Sequence, residues 1–145
     1  MSTSSLGTVL DAIRAALILR SNLTGVSVFS GPVSLEEAGQ ECIAFGDARL
    51  DENAMAMGGN RWEVWNIEGE IRIVKPWAGS TEQTIKAARD RALALFAEIE
   101  THVNDTYKGA LPDVEVSSGS MEQWSGEGRI CRLLFTLQMK DDKNP

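Results

Sequence analysis

The sequence is poor in the residues that most catalysis needs. One histidine, His102, and two cysteines, Cys42 and Cys131, stand among 145 residues. The cysteines lie far apart and form no C-x-x-C, which excludes a zinc ribbon and a thioredoxin-like redox motif. A lone histidine leaves little material for a His-paired nucleophile or a His-rich metal site. Both thiols are expected to be free, in a reducing cytoplasm. Positive charge is scarce as well: 14 Lys and Arg face 21 Asp and Glu, a net charge of −7. A free-standing nucleic-acid binder usually has the opposite sign. No run approaches the roughly 18 apolar residues of a membrane span. The opening Met1-Ser-Thr-Ser-Ser-Leu-Gly7 has no basic stretch of the secretory kind.

What remains is ordinary globular material, 43% apolar and 24% charged. One domain over 1–145 is expected, with 141–145 as a frayed tail. A chain of this size buries about 70% of its unfolded surface, enough for a core without staples. Leu6, Val9, Leu10, Ile13, Ala16 and Leu17 form a helical stripe, with Ser4 or Ser5 as cap. Val26–Ser30 reads as a short strand closed by Gly31-Pro32, and Glu41–Gly46 as a second. Arg61–Trp77 is a long strand. Trp65, Ile67, Ile71, Ile73 and Trp77 share one parity, and Glu68, Glu70 and Arg72 the other. Ser80-Thr-Glu-Gln83 fits a capping box before a helix expected over Thr81–Asn104. Val114 and Val116 suggest a short strand, Ser117–Gly119 a turn, and Arg129–Lys140 a strictly alternating last strand. The order α-β-β-β-α-β-β predicts an α+β fold: an antiparallel or mixed sheet of about five strands with two helices on one face.

Few constellations carry chemistry. Glu68 and Glu70 share a strand face and could act as an acid–base pair, but a solvated face with Arg72 as partner explains them as well. Gly58-Gly59-Asn60 and Gly126-Glu-Gly128 lack the strand-to-helix context of a phosphate loop and read as turns. His102 falls near the end of the long helix, where it suits the dipole. Cys131 belongs to the core, and Cys42 could face either way. Ala54-Met-Ala-Met57 lies in an expected loop, Asp51–Asn60, and suits an adaptable contact surface. No catalytic, metal or cofactor residue is predicted. Charge is more telling. Between Glu36 and Glu70 stand nine acids against Arg49 and Arg61 alone, which accounts for the whole net charge. Such a segment is either a solvated loop or a surface that repels anions or meets a basic partner.

Across its length the chain resembles the tail terminator proteins of long-tailed phages. The resemblance rests on the leading helix and on Val26-Ser-Val-Phe-Ser-Gly-Pro32. It continues through Glu-Cys-Ile-Ala-Phe-Gly46, the variable loop, Gly-Glu-Ile-Arg-Ile-Val74, the alanine-rich helix and Gly-Arg-Ile-Cys-Arg-Leu-Leu-Phe-Thr-Leu137. It implies a structural virion protein of the tail or neck, assembled in the host cytoplasm, with no enzymatic activity. Copies would form a ring, commonly a hexamer. The ring would cap the major tail tube protein, end its polymerisation and present a docking face to the head connector or stopper. DNA would pass through without specific binding. A 145-residue sphere is about 38 Å across, and six in a closed ring leave a hole that admits duplex DNA. Sheet edges and the long loop are the expected ring contacts: Arg49, Asp51, Glu52, Met55, Met57, Arg61 and Trp62. Glu36, Glu37, Glu68 and Glu70 are candidates for an acidic lumen. Two alternatives remain: another neck component, such as a head–tail joining or stopper protein, and a small α+β enzyme or ligand-binding domain.

Overall fold

The computed structural model describes residues 5–34, 39–50, 62–126 and 128–142; for Trp62 and Asp142 the backbone alone is described. The first helix, α1 (Leu6–Ile18), buries Val9, Ile13 and Leu17. Ser5 is its N-cap residue but makes no cap bond with its side chain. Its hydroxyl donates instead to Asp141, at the far end of the chain. Arg14 Nε donates to the Val28 carbonyl at 2.8 Å and ties α1 to the sheet. A short 3-10 turn, Ser21–Leu23, leads into β1 (Ser27–Phe29).

Three long strands form the middle of the sheet. β2 (Glu41–Leu50) and β3 (Trp62–Pro76) are antiparallel, with a bulge between Phe45 and Ala48. β5 (Gly128–Asp142) lies beside β3, in unbroken register from Trp62↔Asp142 to Pro76↔Gly128. β4 (Asp113–Ser125) pairs with β5 on its other side, and β1 runs parallel to β2. The spatial order is β1-β2-β3-β5-β4, a mixed sheet. The last strand in sequence is therefore central.

The second helix, α2 (Thr81–Tyr107), starts with the predicted capping box. Ser80 Oγ accepts from the Gln83 N–H at 3.1 Å, and Gln83 Oε1 from the Ser80 N–H at 2.8 Å. Its stripe of Ala88, Ala92, Leu95, Ile99 and Val103 packs on the face formed by Ile43, Phe45, Ile67, Ile71, Ile73, Leu133, Phe135 and Leu137. At the centre, Phe135 covers Gly69. A Cβ there would lie 2.2 Å from the Phe135 ring, so only glycine fits. Phe45 and Phe96 meet the same ring, the former edge-on with centroids 6.1 Å apart.

Several expectations change. β4 runs through Ser117–Gly119, which is a bulged stretch of strand and no turn, because β5 offers it a continuous ladder. β3 ends at Pro76, so Trp77 leaves the sheet and is exposed. β5 continues through Asp141 and Asp142, the start of the segment expected to fray; residues 143–145 lie outside the described residues. The helix ends at Tyr107, so His102 is no last-turn residue.

Candidate interface on the open face of the sheet

The face away from the helices carries charged and polar rows beside a small apolar cluster of Cys42 and Ala44 with Phe29 and Val33, and β-sheet register decides who meets whom on it. Along one row, Cys42, Arg72, Arg132 and Glu122 lie opposite one another on four successive strands. The next row is Ala44, Glu70, Leu134 and Ser120, and beyond it Glu68 faces Thr136 and Ser118. Two arginines thus sit side by side, and Glu70 bridges them. Arg72 Nε donates to Glu70 Oε1 at 2.9 Å, with Nη2 at 2.6 Å. Arg132 Nε lies 3.1 Å from the same oxygen, and its Nη1 is 3.9 Å from Glu122 Oε1. Arg72 Nη1 and Arg132 Nε are both buried without a hydrogen bond among the described residues. The Glu70–Arg72 pairing weighed in the sequence is present. Arg132 was not anticipated as its neighbour, since strand register is invisible in one chain's alternation.

An open groove of about 430 Å³ runs over this face, lined by Glu68, Gly69, Ser118–Ser120, Arg132, Leu134 and Thr136. A smaller one of about 120 Å³ continues towards Pro32 and Val33. Acid–base work by two carboxylates needs a shared enclosure that separates their proton affinities. Here Glu70 is occupied by guanidinium groups and Glu68 faces solvent. The cysteines are equally unsuited to attack. Burial pushes the Cys42 thiol up to about 11, against the pull of Arg72, and burial also raises Cys131.

The acidic tally reads differently in space. Glu41 is clamped by Arg91, whose Nε donates to both carboxylate oxygens at 3.0 and 2.9 Å, with Lys75 Nζ at 4.0 Å. Glu63 is buried and accepts from the Trp65 indole N–H. Arg91 and Lys75 come from outside the acidic segment, so the segment's formal charge overstates what it shows to solvent. Asp47 and Glu68 remain exposed. Arg49 is exposed on β2, opposite Asn66, and Trp62 opens β3. Asp51, Glu52, Met55, Met57 and Arg61 lie outside the described residues, as do Glu36 and Glu37.

His102 is buried on α2. Its Nδ1 is 3.3 Å from Thr106 Oγ1, its ring meets Tyr107 edge-on, and its Nε2 has no partner among the described residues. Burial, helped by Arg20, lowers its proton affinity, so it serves as a neutral core side chain. Nearby, Asn22 and Arg20 hydrogen-bond Glu98 and hold its carboxyl below the usual range.

No family model matches the chain, and no curated protein matches its sequence. Among solved structures, a chain of the "Virion of native gene transfer agent (GTA) particle" is similar, with a TM-score of 0.64 and 12% identity. The match covers 97% of this chain and 99% of that one, so the two share a fold from end to end.

Proposed function

We propose that this protein is a structural component of a phage-like virion, and specifically the ring that caps the tail tube. The observation that carries the reading is the end-to-end fold likeness to a chain of a gene transfer agent virion. The sheet face supports the same reading, since Glu70, Arg72, Arg132 and Glu122 are engaged with each other on it. A cap works by geometry. One face matches the tube end, the opposite face does not, and growth stops there.

In this reading the ring encloses the DNA path, and Glu68 contributes to an anion-repelling wall that lets DNA slide. Glu70 adds little, because Arg72 and Arg132 share its charge. Purified protein added to polymerising tail-tube subunits is expected to limit tube length. Removing the gene is expected to give overlong, headless tails by electron microscopy. Normal tube length with unjoined heads would instead assign the chain to the head–tail joining or stopper step.

A further inference from the structure

The two edges of the sheet are unlike, and they are complementary. β4 is an edge strand along its full length, paired only with β5. Edge strands are commonly guarded by lysine, proline or brevity. β4 is 13 residues long and contains neither lysine nor proline; its middle reads Ser117-Ser-Gly-Ser120. The opposite edge is notched. β1 covers only Cys42–Ala44, so Gly46–Leu50 of β2 has no strand on that side among the described residues.

Side chains correspond on both faces. On the helix-covered face, Leu93 and Phe96 of α2 and Met121 of β4 border an apolar groove of about 290 Å³ along the β4 edge. On the same face of the notch, Leu50 is 44% exposed. On the open face, β4 shows Glu115 and Glu122, and the notch shows Arg49. Strand direction agrees too. β2 runs with β5 and against β4, so repeating the sheet with its faces kept sets β4 against β2 antiparallel.

We propose that copies of this chain join head to tail, β4 of one pairing with Gly46–Leu50 of the next. Leu50 then enters the groove between α2 and β4 beside Met121, and Arg49 comes opposite Glu122. The contact is heterologous, so it closes into a ring when the rotation per copy completes a circle. It deepens the ring reading above and names its seam. Each joint is short, and closure multiplies its effect.

Cysteine cross-linking tests it. Leu50→Cys and Met121→Cys chains, mixed and mildly oxidised, are expected to form a mixed dimer. Neither forms a dimer with itself above an Ala12→Cys control, and the doubly substituted chain forms a ladder. Adding Arg49→Glu to the Leu50→Cys chain lowers the yield about tenfold, and Glu122→Lys on the other chain restores it. The proposal is overturned by cross-links only between like variants. It is equally overturned by mixed yields at the control level up to about millimolar protein, the weakest affinity of interest. Cross-linking without any effect on tube length would keep this seam and remove the tail-capping reading. Tube capping without cross-linking would do the reverse.

Discussion

The two faces of the one sheet obey different rules. Under the helices, Phe135, Phe45, Ile71 and Leu95 are buried in one core, and the Phe135 ring leaves no room for an added carbon at Gly69. On the open face, Glu70 is shared by Arg72 and Arg132 beside a groove with space to spare. Close packing punishes every change of volume, whereas a wet ionic network punishes only changes that strand a charge. The same strands supply both faces, one residue apart, so alternate substitutions along β3 or β5 sample each rule in turn.

The contrast can be broken most forcefully at Phe135. Phe135→Ala empties the space over Gly69 and is expected to cost about 3–5 kcal/mol in denaturant unfolding. Gly69→Ala attacks the same contact from the other side. Its methyl must displace the Phe135 ring, with an expected loss of about 1–3 kcal/mol. The open face sharpens the comparison through two glutamates. Glu70→Ala leaves two adjacent arginines without their shared carboxylate and should cost about 1–2 kcal/mol, whereas Glu68→Ala should fall within about 0.5 kcal/mol of the parent. Equal losses for the two would show that the ionic network contributes nothing specific.

The smallest effect is titrimetric. His102 has its folded proton affinity lowered by burial, so the unfolded chain binds the proton first as pH falls. Its contribution is fully present above its unfolded pKa of about 6.5 and is lost as pH drops from there through the lower folded value. Melting temperatures between pH 7.5 and 5.5 should therefore fall more steeply for the parent than for His102→Gln.

Much of the fold was legible because local and long-range signals agree. The Ser80–Gln83 box and the alternation of β3 and β5 each stand in the structure as read. β4 was legible only at Val114 and Val116: serine and glycine at 117–120 have weak strand preference, and only the β5 ladder makes them extended. Trp77 was misplaced by extending parity one residue past Pro76, where the strand has already ended. The site was harder still. Glu41 with Arg91 and Glu70 with Arg132 pair residues 50 and more positions apart, and charge counted along a segment has no access to such partners.

The central position of β5 has a consequence for biosynthesis. A ribosome emits β3, α2 and β4 before the strand that both β3 and β4 need as neighbour. Until Gly128–Asp142 emerges, the nascent chain holds two bare ladders and half a hydrophobic floor. Those are the surfaces that chaperones capture and that premature aggregation exploits. Nonsense mutations within these final codons should thus yield insoluble product, even though they delete only a small part of the polypeptide.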